Sequence, residues 1–168
     1  MRRFLTPKGL IGIVLLSAVA LIAIFGPWIL SPQAATAMDM TARRAPPSMV
    51  HLFGTDQLGR DLLARVILGA RTSLQIAVAA VVMSIVLGLP LGLISGYVGG
   101  RTDNLLMRLV DTLLAFPALL LALTISAVLG PNIQNTIIAI GGAFTPFLAR
   151  IIRGEALRVA QMPYVEAA

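Results

Sequence analysis

Residues 77–100 read AVAAVVMSIVLGLPLGLISGYVGG, and this stretch decides the fold class. It lies within the interval from Thr72 to Gly100, which contains no Asp, Glu, Lys or Arg. A helix needs about 20 consecutive apolar residues to cross the hydrocarbon core of a bilayer, so this interval is long enough for one crossing. The sequence therefore predicts a membrane-embedded helix here.

The composition of the whole chain indicates a membrane protein. Hydrophobic residues make up 58% of the 168 residues and charged residues 12%, against about 25% in a typical soluble domain. The chain has no cysteine and one histidine, which excludes a disulfide scaffold and argues against a Cys/His metal site. It also has no phosphate-binding loop of the G-x-x-x-x-G-K-[ST] kind. We therefore expect no catalytic, cofactor-binding or metal-binding residue, and no enzyme activity.

Two other intervals are free of charged residues, from Gly9 to Met38 and from Thr112 to Ala149. The second contains GPNIQN at 130–135, and an exposed turn of this kind cannot lie in hydrocarbon. We therefore predict an all-α, polytopic fold with four spans, at about 10–30, 74–96, 112–129 and 134–152.

The first span resembles a signal peptide because basic residues precede it. Its apolar run continues from Leu10 to Leu30, however, whereas the apolar part of a signal peptide has about 7–15 residues. We expect a retained membrane anchor.

The orientation follows from the basic residues near the ends of the spans. With the N-terminus inside, eight basic residues are cytoplasmic: Arg2, Arg3, Lys8, Arg101, Arg108, Arg150, Arg153 and Arg158. Five lie on the other side: Arg43, Arg44, Arg60, Arg65 and Arg71. This arrangement explains the net charge of +6 without nucleic acid, and it predicts a cytoplasmic N-terminus.

The segment between the first two spans, 31–72, is predicted to be extracytoplasmic. Its first half has the Pro, Ala and polar mixture of an irregular loop, and its second half has helical periodicity. Two interpretations remain open, namely an amphipathic helix on the membrane surface and a helix capped by Asp56 that packs on neighbouring spans.

Small residues recur every four positions in the second span, at Ala80, Ser84, Gly88, Gly92, Gly96 and Gly100. Such a row lets another helix approach closely in lipid. We predict that Ser84, Gly88, Gly92 and Gly96 form a helix-packing face.

Prolines lie inside three predicted spans, at Pro90, Pro117 and Pro146. Each removes a backbone hydrogen bond and is predicted to kink its helix, as occurs in transporters. Asp111 lies at the end of the third span, and we expect it to pair with Arg108 on the same helix face.

The chain ends with QMPYVEAA, residues 161–168. Pro163 suits the first position of a new helix, and Glu166 then lies in the first turn, near the positive end of the helix dipole. Ala167 and Ala168 favour the helix further. We predict a short cytoplasmic helix here.

Three blocks in the chain resemble a known family. YVEAA resembles the start of the Glu-Ala-Ala motif in permease subunits of ATP-binding-cassette importers. FGTDQLGRDLLARVILGARTSL, DNLLMRLVDTLLAFPALLLAL and RGEALRVAQMPYVEAA are similar to the second permease of dipeptide, oligopeptide and nickel importers. The resemblance is strong over 51–168 and weak over 1–30.

The resemblance implies a MetI-like permease fold of six spans in the bacterial inner (plasma) membrane, of which four are present here. The other two spans and the rest of the motif are expected beyond Ala168, so the chain is interpreted as a fragment. The implied partners are a second permease subunit, two cytoplasmic ATPase subunits and an extracytoplasmic solute-binding protein. Pro163, Tyr164, Glu166, Ala167 and Ala168 would contact an ATPase.

The corresponding domain organisation is an N-terminal segment and first span (1–30), an extracytoplasmic loop with an interfacial helix (31–72), and part of the permease core (73–168). The alternative functions are a small four-span carrier or channel, and a membrane scaffold, neither with ATPase partners. The substrate is open among peptides, nickel chelates and glutathione-like molecules.

Overall fold

The computed structural model describes residues 6–162, and this part of the chain is helical. It divides between Gln75 and Ile76 into two compact units. The helices are α1 (Pro7–Ile29), α2 (Pro32–Thr36), α3 (Leu62–Val98), α4 (Gly100–Leu114), α5 (Ala118–Leu129) and α6 (Ile133–Ala160), with a 3₁₀ turn at Met40–Ala42. The predictions made for Pro163, Tyr164, Glu166, Ala167 and Ala168 concern residues outside the described range.

Three helices are long and apolar enough to cross a membrane, namely α1, α3 and α6. The pair α4 and α5 qualifies when taken together, and its two axes are bent by 84°. The described residues 6–162 thus form an all-helical membrane protein with three candidate crossings, or four if the bent pair is one crossing.

The prediction of one continuous helix over the third span, 112–129, is wrong. Helix α4 ends at Leu114 and α5 begins at Ala118, so Pro117 is the residue before α5 and does not kink a continuous helix. The residue before a proline is biased away from helical angles, which explains the break at Phe116. Pro90 and Pro146 do lie inside helices, α3 and α6.

The second predicted span also differs from the structure at its start. Helix α3 begins at Leu62, so the predicted interfacial helix is continuous with the span instead of a separate element. No proline interrupts the chain between these two parts, and the helix continues through Arg71. Asp61, not Asp56, caps the helix, because its Oδ1 accepts a hydrogen bond from Ala64 N at 2.9 Å.

In the first unit, α1 contacts the beginning of α3. Gly26 is buried there, and a side chain at this position would overlap Ile67. Most large apolar side chains of α1 are exposed, as expected for a helix that faces lipid. At its start, Thr6 accepts a hydrogen bond from Gly9 N and Pro7 occupies the first turn.

Asp56 organises the loop before α3. Its Oδ1 accepts hydrogen bonds from the backbone of Leu58 (2.8 Å) and Arg60 (3.0 Å), and its Oδ2 accepts from Arg60 Nε (2.8 Å) and Arg65 Nη1. Desolvation alone would raise the pKa of this carboxyl, but these N–H donors and the Arg60 charge outweigh it and hold the pKa well below 3.8. Gly59 adopts φ +75° beside the Asp39 carbonyl, where a side chain would not fit.

Asp61 has a second partner besides the helix it caps. Its Oδ2 lies 2.9 Å from His51 Nδ1. The backbone N–H of Ala64 is the main cause that lowers the pKa of Asp61, and the His51 hydrogen bond adds to it. The loop is therefore connected to the first turn of α3 by a cap and by a side-chain contact.

In the second unit, α6 packs against α5 and α4. The turn that joins α5 to α6 is held by two asparagines, as Asn132 accepts from Gln134 N at 2.9 Å and Asn135 Nδ2 donates to Leu129 O at 2.6 Å. At the other end, Gly99 and Gly100 have φ values of 66° and 56°, which ends α3 and lets α4 leave in a new direction.

Candidate functional site at the contact of α3, α4 and α6

Helices α3 and α6 meet in a constant register. Ser84 Oγ donates a hydrogen bond to Gly141 O on α6 at 2.9 Å, a separation of 57 positions along the chain. Gly88, Gly92 and Gly96 lie against Thr145, Ala149 and Arg153, and each pair has the same separation. Since both helices advance together, they run parallel, and the chain between them must return to the starting end.

The glycines of α3 lie directly on the backbone of α6. A methyl group added at Gly92 would be 2.6 Å from Ala149 O and 2.8 Å from Ile152 Cβ. One added at Gly96 would be 2.7 Å from Ala156 Cβ, and one at Gly88 would be 3.1 Å from Thr145 O. Hydrogen at these positions is what allows the two backbones to approach.

The small-residue face is shorter than the sequence repeat. Gly100 lies beyond the end of α3, in the first position of α4, and has open space around its Cα. The face is complementary on α6, where Gly141, Thr145 and Ala149 are buried at four-residue intervals. Ser84 and Thr145 both satisfy their hydroxyls on backbone carbonyls, including that of Gly141.

Three helices meet at the carboxylate of Asp103. Arg153 of α6 donates from Nε to Oδ1 and from Nη2 to Oδ2, both at 2.5 Å. Ser95 near the end of α3 is fully buried and donates its hydroxyl to Oδ1, also at 2.5 Å. The fork of the guanidinium matches the two carboxylate oxygens, which gives this contact a defined direction.

A second ion pair joins α4 to α6, between Asp111 and Arg150. The prediction that Asp111 pairs with Arg108 is therefore wrong. Arg108 and Asp111 do share a helix, but α6 packs beside α4 and its Arg150 reaches the carboxylate instead. Spacing within one helix cannot reveal a partner on another helix.

Sequence reasoning missed the roles of Ser95, Asp103 and Arg153. The sequence offered one signal, since Asp103 and Arg153 are charged residues beside predicted spans. A single sequence does not predict their pairing, because the two residues are 50 positions apart.

Within residues 6–162, no group of three or more His, Cys, Asp and Glu side chains is arranged to hold a metal ion. The site is a hydrogen-bonded contact among α3, α4 and α6.

The residues of this site lie in a part of the chain that matches a known protein family. A family model described as the binding-protein-dependent transport system inner membrane component matches residues 88–168, which include Gly88, Asp103 and Arg153. The probable D,D-dipeptide transport system permease protein of Escherichia coli K12 is 40% identical over 163 residues, 97% of this chain and 54% of that protein. The chain belongs to the binding-protein-dependent transport permeases.

Other relatives of this permease chain carry related names. A putative peptide transport system permease protein of Brucella suis biovar 1 is 46% identical over 158 residues, 94% of this chain and 53% of the relative. A glutathione transport system permease protein of Shigella flexneri serotype 5b is 47% identical over 147 residues, which are 88% of this chain and 48% of the relative. The permease chain spans about half the length of the curated relatives it matches.

Proposed function

We propose that this chain is part of a permease subunit of an ATP-binding-cassette importer for peptides. In this proposal the complete subunit forms half of a translocation pore, and a second permease subunit forms the other half. An extracytoplasmic solute-binding protein supplies the ligand, and two cytoplasmic ATPase subunits drive the cycle. The support is the family membership together with the names of the relatives, which are permeases of dipeptide, peptide and glutathione transport systems.

The observation that carries the coupling part of the proposal is the contact at Asp103. Arg153 lies ten positions before Pro163, where the sequence resembles the ATPase-docking motif. A displacement of the end of α6 acts on Asp103 of α4 and, through the glycine contacts, on α3. We propose that Pro163, Tyr164, Glu166, Ala167 and Ala168 contact an ATPase subunit and that α6 carries its motion into the membrane.

The charges of the second unit support the orientation. Arg101 and Arg108 of α4 and three arginines of α6, Arg150, Arg153 and Arg158, lie in the two helices joined at Asp103. Cytoplasmic segments are enriched in arginine and lysine near the ends of spans. We propose that this end of the unit is cytoplasmic, and with four crossings the N-terminus is cytoplasmic too.

The proposed coupling is tested by capture of the ATPase. The tagged full-length permease subunit that contains this chain is isolated in mild detergent from its own cells, and the proteins that co-purify are identified, with wild type compared to Glu166→Arg. The matched control is Glu155→Arg, because Glu155 is an exposed acidic residue near the end of α6 whose pair with Arg158 contributes little. We expect an ATPase subunit to co-purify with the wild type and with the control, and to be lost from the Glu166→Arg sample.

Two results would contradict the proposal. Absence of any ATPase subunit from the wild-type sample would contradict the importer assignment and favour a carrier or scaffold. Equal loss in both variants would contradict a specific contact at Glu166. Uptake of a labelled dipeptide and of nickel by cells with and without the gene then distinguishes the substrate classes, and we expect the dipeptide to depend on it.

A further inference from the structure

The first unit contains a cavity of about 480 Å³ beside the start of α3. Its lining includes the basic side chains of Arg60, Arg65 and Arg71 and the apolar side chains of Pro27 and Leu68. Arg60 lies in the loop before α3, and Arg65 and Arg71 lie in the first three turns of the helix, so the loop end and the helix together supply the three charges of the lining. Pro27 of α1 and Leu68 supply apolar surface.

The charges in this cavity are not balanced by the carboxylate beside them. Arg60 and Arg65 both pair with Asp56, so one negative charge serves two positive ones. Arg71 is exposed and makes no ion pair with any residue in the range 6–162. The cavity therefore has an excess of positive charge and guanidinium N–H groups available to a ligand.

The position of the cavity along the chain corresponds to the membrane boundary. Arg71 is the last charged residue before the interval 72–100, and Pro27 lies in the last turn of the candidate span α1. Helix α3 has 37 residues, whereas about 20 cross the hydrocarbon core, so its first turns extend beyond it. Trp28, next to Pro27, is 81% exposed, and tryptophan is enriched at the level of the lipid headgroups.

We propose that this cavity binds the phosphate of an anionic phospholipid headgroup. Arginine binds phosphate oxygens through paired N–H donors and is less strongly hydrated than lysine, so it suits a site at the edge of the membrane. The acyl chains of the lipid would lie along the exposed apolar side chains of α1. Asp56 keeps Arg60 and Arg65 oriented, and Arg71 supplies the unpaired charge. This proposal does not depend on the importer function.

The chain contains one tryptophan, so Trp28 fluorescence reports on lipid near the cavity. The full chain is reconstituted in phosphatidylcholine vesicles that contain a small fraction of brominated phosphatidylglycerol or, in parallel, brominated phosphatidylcholine. Bromine quenches tryptophan on close contact. We expect stronger quenching by the phosphatidylglycerol at equal fraction. Arg71→Gln should weaken this preference about fivefold, as expected for one basic residue near a charged surface.

The control is Arg44→Gln, which removes the same charge from the same unit at an exposed residue that does not line the cavity. It should leave the preference unchanged. Equal quenching by both lipids in the wild type, or equal effects of the two variants, would overturn the proposal.

Loss of the preference on adding inorganic phosphate at constant ionic strength would assign the cavity to free phosphate. Loss on adding a peptide, but not its C-terminally amidated form, would assign it to a carboxylate ligand. Either result would also overturn the lipid assignment.

Discussion

Arg153 of α6 and Asp103 of α4 form a two-point contact, with both N–O distances at 2.5 Å and with Ser95 of α3 on the same carboxylate. The side chains are 31% and 16% exposed, respectively, so the pair is partly shielded from water. It joins three helices of the second unit at one carboxylate. An ion pair of this kind resists sliding of the helices more than an apolar contact, because its geometry is directional.

We expect Asp103→Asn to destabilise the chain by about 1–3 kcal/mol, because a charged partner of Arg153 and Ser95 is removed while the arginine stays half-buried. The measurement is the free energy of unfolding of the full chain in detergent micelles. Arg158→Gln is the control, since its exposed pair with Glu155 should contribute at most about 0.5 kcal/mol. Equal effects of the two substitutions would mean that Asp103 is an ordinary surface residue.

Gly92→Ala should be destabilising by about 1–3 kcal/mol, because the new methyl group would lie 2.6 Å from Ala149 O and force α3 and α6 apart. Gly142→Ala is the matched control, as Gly142 lies in α6 with open space around it. Alanine favours a helix by up to about 1 kcal/mol over glycine, so this control should be neutral or stabilising. Thermal unfolding of both variants checks the prediction, and a stabilised Gly92→Ala would refute the close approach.

Asp61 should be replaceable by asparagine but not by alanine. Asn caps a helix as well as Asp does, whereas loss of the cap costs about 1 kcal/mol. We expect faster hydrogen exchange at Ala64 and Arg65 in Asp61→Ala and little change in Asp61→Asn. A large effect of Asp61→Asn would instead show that the His51 contact is the more important of the two.

The loop around Asp56 should loosen in acid. The folded-state pKa of Asp56 is held below the ordinary value of 3.8, so the carboxylate stabilises the loop above about pH 4. This contribution is lost as the pH falls from there towards the lower folded-state pKa. Hydrogen exchange at Leu58 and Arg60, corrected for the intrinsic rate, should increase over this range. In Asp56→Asn, exchange should be fast already at neutral pH and should not change with acid.

The sequence predicted the helical membrane fold, since runs without charge are a property of local composition. It predicted neither the break at Ala115–Pro117 nor the continuity of α3 through Arg71, because both depend on competition between helix propensity and surroundings. The repeat at Ser84, Gly88 and Gly92 predicted a close-packing face, but not that α6 lies on it. The pairs Asp103–Arg153 and Asp111–Arg150 join residues 50 and 39 positions apart, and no local pattern predicts such contacts.

The bend between α4 and α5 has a consequence for water. Helix α5 has 12 residues and is about 18 Å long, which is shorter than the hydrocarbon core of about 30 Å. The first N–H with a partner in the helical pattern is that of Leu121, which donates to Pro117 O at 3.0 Å, and Pro117 offers no side-chain cap for the N–H groups before it. Such backbone is stable at membrane depth only against protein or in a hydrated cavity. If α4 and α5 form one crossing, the turn at Ala115–Pro117 therefore requires a neighbouring helix or water beside it.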